Sequence, residues 1–356
     1  MKKILVVDDS ALMRRVLCDI INADGRFHVE DTAINGKLAL DLLMQKKYDT
    51  VILDVNMPVM NGLELLKELQ KRKIPAKVIM ASTATTEGAK ITMDALDLGA
   101  LDFVHKPDNA MDCRNAEFVR QLLDILAVSV ESKEPKIENA FEIDNIRNDR
   151  KLVEFVQKHR TDFTGSKLVA IASSTGGPKA LQAVIPRLPR NLNCPVVLVQ
   201  HMPVGFTKSL ADRLNSLSNL TVSEAAEGEI LEKGHAYIAR GGIHLKVANE
   251  RGRSVLHFSD EPSREGVKPC ANYMFESLAD SPYDEIICVV MTGMGMDGTE
   301  GIINLKKSKK VHVIAQQEDS CAVYGMPRSI VKYGLADQIV TLDNIAQEII
   351  MNVGMN

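Results

Sequence analysis

Short β-branched runs alternate with stretches of helical period from the first residues of the chain. ILVVDD at 4–9 leads into a helical pattern from about residue 11, then come FHVEDTAI, a helix, TVILDV, a helix, KVIMAS, a helix and LDFVHK. In the first helix Leu12, Val16, Leu17 and Ile20 share one face at i, i+4, i+5 and i+8, while Arg14, Arg15 and Asp19 take the other. That face is expected to bury against a sheet. Five strand–helix units predict a doubly wound, flavodoxin-like parallel α/β domain over 1–125, with its functional site at the carboxyl ends of the strands. The rhythm fails over 126–166, where charge is dense (ESKEPKIEN, RNDRK, KHRTD) and only Leu152, Val153 and Val156 form a short amphipathic stretch. This segment reads as a polar linker.

From Lys167 the alternation returns. LVAIA is followed by a helix opened by Gly176, Gly177 and Pro178, then PVVLVQ, a helix around Ser209 to Leu217, and strands with turns at 240–242 and 249–253. A helix near 270–279, IICVVM, a helix, VHVIAQ and two closing helices complete the chain. Residues 167–356 are expected to form a second doubly wound parallel-sheet domain, three layers deep, with an antiparallel insertion near 221–260.

Composition narrows the function. A 356-residue chain with 45% apolar residues can build two cores. Net charge is −4 and aromatic residues are 4%, so there is no basic stripe with stacking aromatics and nucleic acid is not an expected partner. Apolar runs such as ILVV and IICVVM are far shorter than a membrane span, so no direct membrane insertion is expected. The N-terminal run leads into Asp8, Asp9 and Ser10 rather than a cleavage site, which points to a cytoplasmic protein. Cys18, Cys113, Cys194, Cys270, Cys288 and Cys321 show no metal-ligand spacing and read as reduced, small apolar residues.

Two constellations of polar residues stand where apolar strands meet their loops. Asp8 and Asp9 end the first strand, Asp54 the third, Ser82 the fourth and Lys106 the fifth. In a parallel sheet these ends converge, and clustered carboxylates repel unless a divalent cation lies among them. Oxygen ligands suit Mg²⁺, with Asp8, Asp9 and Asp54 as its ligands. Asp54 would be the nucleophile that accepts a phosphoryl group, Lys106 would neutralise developing charge, and Ser82 would hydrogen-bond the new phosphoryl oxygen.

In the second half, VAIASSTGGPKAL sets Ser173, Ser174 and Thr175 at a strand-to-helix turn. His201 follows the next apolar strand in VLVQHMP, and Asp297 follows IICVVMTG in MGMDG. Ser174 as nucleophile, His201 as general base and Asp297 as the carboxylate that fixes the imidazole tautomer make a serine-hydrolase triad. Backbone amides at Thr175 and Met294 are the candidate oxyanion donors. Ser173 is expected to be dispensable. No cofactor is needed for hydrolysis. The serine lacks the G-x-S-x-G elbow of α/β-hydrolases, and STGG lacks the Lys-Ser/Thr of a P-loop. His28, His105, His159, His235, His244, His257 and His312 read as structural or solvated.

VVDDS, LDVNMPVMNG and DFVHKP resemble the receiver domain of two-component response regulators. VAIASSTGGP, QHMP, MTGMGMDG and SCAVYGMP resemble the chemotaxis protein-glutamate methylesterase family, in which a receiver precedes the hydrolase. The resemblance implies that Asp54 is phosphorylated by a histidine kinase, that Phe103 is the aromatic switch residue, and that the unphosphorylated receiver covers the hydrolase site. It implies removal of γ-methyl esters from glutamates of methyl-accepting chemotaxis receptors, with deamidation of receptor glutamines. Three departures stand out: Asn61 where many receivers have Asp, Ala172 where the hydrolases commonly have Gly, and Asn272 in VKPCAN where they have a carboxylate. Asn61 is expected to matter little, Ala172 to tighten the turn, and Asn272 to bear on substrate preference. A binding module with a decayed hydrolase site and an esterase for another substrate remain alternatives.

Overall fold

The computed structural model describes residues 1–82, 86–107, 109, 112–132 and 165–355. The chain divides into two compact units. The first contains β1 (Lys2–Val7), α1 (Ala11–Ala23), β2 (Phe27–Ala33), α2 (Gly36–Gln45), β3 (Thr50–Asp54), α3 (Gly62–Arg72), β4 (Val78–Ser82), α4 (Thr86–Asp97), β5 (Asp102–His105) and α5 (Ala116–Glu131). The strand order is β2-β1-β3-β4-β5 and every pairing is parallel. The order reverses between β1 and β3, which opens a crevice at the carboxyl ends of these two strands. Ser10, Asn35, Asn61 and Asn115 cap the N-termini of α1, α2, α3 and α5. Asn61 forms a capping box with Glu64, so its side chain serves the helix terminus, as an Asp would.

Two expectations for this unit are corrected. The buried face of α1 is Met13, Val16, Leu17 and Ile21, and Leu12 is exposed. The Ser10 cap starts the helix so that Met13, rather than Leu12, turns inward to meet Cys113. Residues 126–131 continue α5 instead of opening the linker, because Leu126 and Ser129 are fully buried and the Ser129 hydroxyl pairs with Thr50 Oγ1 at 2.8 Å. Most of the expected linker, with Leu152, Val153 and Val156, lies outside the described residues.

The second unit comprises β6 (Lys167–Ser173), α6 (Gly177–Val184), β7 (Val196–Gln200), α7 (Phe206–Leu217), β8 (Thr221–Glu224), β9 (His235–Ile238), β10 (His244–Glu250) and β11 (Arg253–Ser259), followed by α8 (Ala271–Ser277), β12 (Glu285–Val290), α9 (Thr299–Leu305), β13 (Lys310–Gln316), α10 (Met326–Lys332), β14 (Gln338–Val340) and α11 (Leu342–Val353). Seven strands form one sheet in the order β14-β13-β12-β6-β7-β9-β8. All its pairings are parallel. The antiparallel insertion is therefore narrower than 221–260: β8 and β9 belong to the main sheet, and the antiparallel part is the β10–β11 hairpin with a bridge from Ile230 to Val255.

Alternation along β6 builds two cores. Leu168, Ala170 and Ala172 pack with Val197, Val199 and Val290 beneath Met274, Phe275, Ile302, Leu305 and Ile330 of α8, α9 and α10. Val169 and Ile171, equally buried, point to the opposite face, where α6 and α11 pack. Helices thus cover both faces, and the order reverses between β6 and β12, the second crevice of the molecule. No helix among the described residues is long and apolar enough to cross a membrane.

Candidate functional site

At the β1/β3 crevice Asp8 and Asp54 are buried and Asp9 is exposed, with one carboxylate oxygen of each within 4.8 Å of the others. Lys106 Nζ donates to Asp8 Oδ2 and to Asp54 Oδ1, both at 2.7 Å. The local chain is built to hold this geometry. Ser10 N–H donates to Asp8 Oδ1 at 2.9 Å, and Arg14 donates to the carbonyls of Asp8 and Asp9. A Cβ on Gly62 would lie 2.5 Å from Asp54 O, so only glycine lets α3 begin against the end of β3.

Burial pushes Asp54 up to about 6, the Asp8 charge adds to the rise, and Lys106 opposes it. Burial also acts against the Lys106 charge, but Asp54 and Asp8 outweigh it and hold the ammonium above its usual range. Three carboxylates facing one ammonium leave negative charge in a confined space, which is the donor set a small divalent cation fits. Asp8, Asp9, Asp54 and Lys106 thus come together as expected. Ser82 ends β4 and is buried, its hydroxyl donating to Gly88 O at 3.3 Å. Phe103 is buried in β5, beside Met80 of β4.

At the β6/β12 crevice the chain is tied more densely. Ser174 follows β6; its N–H donates to Thr292 O at 3.0 Å, and its carbonyl accepts from Gly177 N–H at 2.7 Å. Gly176 takes φ +73° and Gly293 leaves no room for a side chain, since a Cβ there would stand 2.7 Å from Ser174 Cβ. His201 follows β7, its N–H donating to Ser173 O at 3.1 Å. Its ring Nε2 lies 2.7 Å from Asp297 Oδ2.

Asp297 is 2% exposed and receives four further donors: Ala271 N–H at 2.6 Å, Asn272 N–H at 2.9 Å, Gly298 N–H at 2.9 Å and Cys270 Sγ–H at 3.0 Å. Three of these are amides at the starts of α8 and α9, which favour negative charge. Burial alone would raise Asp297, but His201, Cys270 and the Ala271 amide hold it down at about 2. The carboxylate is therefore ionised across the ordinary pH range and can only accept. His201 Nε2 must donate to it, which leaves Nδ1 as the unprotonated nitrogen of the neutral ring.

Thr175 is buried, and its carbonyl accepts from Thr292 Oγ1–H at 3.0 Å, while Met294 is 40% exposed. Among the described residues neither the Thr175 nor the Met294 amide is taken up by a protein acceptor. Two departures find explanations. The Ala172 methyl sits in the core beneath α8–α10 rather than at the turn. Asn272 is fully buried; its Oδ1 accepts from Gly298 N–H (3.0 Å) and Gly301 N–H (2.6 Å), and its Nδ2 donates to Glu265 Oε1 (3.0 Å). It caps α9 and steadies the Asp297 loop.

Sequence reasoning passed over several residues of this site. His244, read as structural or solvated, is fully buried; its Nδ1 accepts from Cys270 N–H and its Nε2–H donates to Glu261 O, both at 3.1 Å. It thereby braces the residue whose thiol holds Asp297. Gln200 and Gln316 end the apolar strands β7 and β13, and both are buried. A polar amide closing an apolar run was the available signal. Gln316 Oε1 accepts from Thr292 N–H at 2.8 Å, so it fixes the loop that carries Gly293 and Met294.

Residues 169–349 match the CheB methylesterase family, and residues 4–116 match the response regulator receiver domain. A protein-glutamate methylesterase/protein-glutamine glutaminase of Geobacillus kaustophilus is 43% identical over 99% of both chains. One of Pyrococcus abyssi is 39% identical over 99% of this chain and 94% of its own. The crystal structure of the Thermotoga maritima CheB methylesterase catalytic domain matches with a TM-score of 0.51 and 41% identity, covering 52% of this chain and 98% of that one. With a receiver fold ahead of a methylesterase fold, and relatives alike along nearly its whole length, this chain belongs to the CheB methylesterase family of response regulators.

Proposed function

We propose that the chain is a protein-glutamate methylesterase and glutaminase acting on chemotaxis receptors, a serine hydrolase whose activity rises when Asp54 is phosphorylated. The observation that carries this reading is the His201–Asp297 pair, 2.7 Å apart, beside the Ser174 turn at the β6/β12 crevice. Ser174 Oγ attacks the γ-carbonyl of a methylated glutamate, and its proton passes to His201 Nδ1 because Nε2 is held by Asp297. The ionised Asp297 stabilises the imidazolium that forms. The amides of Thr175 and Met294 receive the oxyanion. Collapse expels the methoxide, which takes the proton from His201 and leaves as methanol; from a glutamine the leaving group is ammonia. Water, deprotonated by the same nitrogen, then cleaves the acyl-enzyme and restores Ser174.

The receiver is assigned to the residues through α5 and the hydrolase to those from β6 onward. In the receiver, Asp54 takes a phosphoryl group from a histidine kinase. Asp8, Asp9 and Asp54 would hold Mg²⁺, which would supply positive charge against the transferring oxygens. Lys106, already donating to Asp54 Oδ1, pairs with the phosphoryl group, and Ser82 turns from Gly88 O toward it. Phe103 repacks as Ser82 moves, and the state of Asp54 thereby governs access to Ser174.

Methanol release from methylated receptor fragments tests the whole reading. Ser174→Ala should abolish it without unfolding the protein. A small phosphodonor with Mg²⁺ should raise the wild-type rate severalfold, and Asp54→Asn should prevent the rise. Activity retained by Ser174→Ala would remove the nucleophile, and an Asp54→Asn variant that still responds would remove the phosphorylation site.

A further inference from the structure

We infer that Gln200 is a positioning residue, a buried amide that sets the spacing between Ser174 and His201 and is anchored by the Ser173 hydroxyl; this rests on reading Ser174 and His201 as nucleophile and base. Gln200 is the last residue of β7 and is 1% exposed. Its Nε2 donates to Ser174 O at 2.9 Å and to His201 O at 3.2 Å, which uses both of its N–H groups. Its Oε1 accepts from Ser173 Oγ–H at 2.7 Å. One planar group therefore binds the backbones of both residues at once, and a flipped amide would set its oxygen against two carbonyls.

The surroundings are cut to admit this side chain. A Cβ on Gly177 would fall 2.0 Å from Gln200 Oε1, so α6 begins over the amide only because that position is bare. The β6–β7 register ends at the Ser173–Gln200 pair. Past it the two strands part toward the Ser174 and His201 loops, and beyond the single His201 N–H to Ser173 O bond the Gln200 amide joins them, tying Ser174 O to His201 O. Gln200 touches two backbone carbonyls and the Ser173 hydroxyl but no reacting atom, so it acts through Ser174 and His201. An error of about 1 Å in such a pair costs on the order of 10²-fold in rate. Ser173, expected from the sequence to be dispensable, becomes the anchor of the arrangement.

The test uses the full chain. Gln200→Glu keeps the shape but, when ionised, offers no donor and faces two carbonyl oxygens. At about pH 7.5 its kcat for methanol release should fall at least about 30-fold with KM changed less than about threefold, and labelling of Ser174 by a fluorophosphonate should slow in parallel. Part of the loss should return near pH 5.5, roughly where a buried carboxyl regains its proton and one donor. Ser173→Ala should give a smaller loss of kcat, and Ser173→Ala with Gln200→Ala should be no worse than Gln200→Ala alone. Ile349→Ala, in the core of α11, serves as a control of matched thermal destabilisation. Gln200→Glu and Gln200→Ala with kcat within about threefold of wild type would overturn the inference, as would an equal loss in the Ile349→Ala control. Fluorophosphonate that labels Ser174→Ala as fast as wild type would instead topple the nucleophile assignment beneath it.

Discussion

Asp54 and Asp297 are alike in placement and opposite in behaviour. Each is a buried carboxylate at the carboxyl edge of a parallel sheet, beside an order reversal and within 2.7 Å of a nitrogen partner. Burial acts against the charge of both, yet Asp54 is pushed up to about 6 and Asp297 is held at about 2. The difference lies in the neighbours. Asp297 collects three amides, a thiol and an imidazole, and Asn272, spared a charge of its own, lies alongside. Asp54 shares its one ammonium with Asp8. The hydrolase carboxylate is electrostatically complete within the protein, whereas the receiver carboxylate is left short of positive charge. A carboxylate saturated with donors is held in its ionised form, whereas one left short of positive charge keeps a deficit that an incoming cation can fill.

Breaking the saturated side should have the largest effect. Asp297→Asn puts an amide NH₂ against backbone donors and favours the wrong His201 tautomer, and kcat should fall by about 10²–10⁴. A methanol-release rate within twofold of wild type would detach Asp297 from the chemistry. Next comes relief of the deficit: in EDTA at neutral pH, Asp54→Asn should stabilise the receiver transition in calorimetry by about 1–3 kcal/mol. The pH dependence of the wild type should then have opposite signs in the two units. Asp54, raised above its unfolded value, binds more protons when folded, so receiver stability falls as pH rises from about 4 to about 6. Asp297, lowered, gives stability fully present above about pH 4 and lost as pH falls toward about 2, worth on the order of 2 kcal/mol. Two transitions moving the same way across both windows would contradict the comparison.

Smaller effects sharpen it. Cys270→Ala removes one of five donors and should lower kcat by about three- to tenfold, with Cys270→Ser restoring it to within about twofold. Equal losses in both variants would show that the Cys270 volume matters rather than its donor. Asn61→Asp keeps a capping side chain outside the acid pocket and should change stability by less than about 0.5 kcal/mol by urea titration.

The strands and the charged members of both sites were legible because each stands where an apolar run turns polar: Asp8 after KKILVV, Asp54 after TVIL, His201 after VVLVQ. The partners that tune them were not. Cys270 lies 27 residues from Asp297 and Gln200 lies 26 from Ser174, and even the polar amide that closes the β7 run does not say which groups it will meet. Strand direction was equally hidden, since alternation marks the faces of β8 but not whether its neighbour runs parallel. The three half-exposed residues of β14 were too short a run to register. Ser129 reads as linker on its own, and only the buried Thr50 hydroxyl across from it shows why α5 continues.

The tying of the chain ends has a practical consequence. In the second unit Ser166 is bonded to Asp284, and Lys167 Nζ reaches Asn352 O near the end of α11, so both covalent ends leave from the amino-terminal edge of the sheet. In the first, Lys77, just ahead of β4, holds the carbonyls of Val130 and Ser132 where α5 ends, again at the amino-terminal edge. A tag, dye or surface attachment at the C-terminus therefore stands a strand length, about 20 Å, from the Ser174 turn. Immobilising the second unit by that end should turn its Ser174 edge away from the surface, which favours C-terminal capture for surface-based binding measurements.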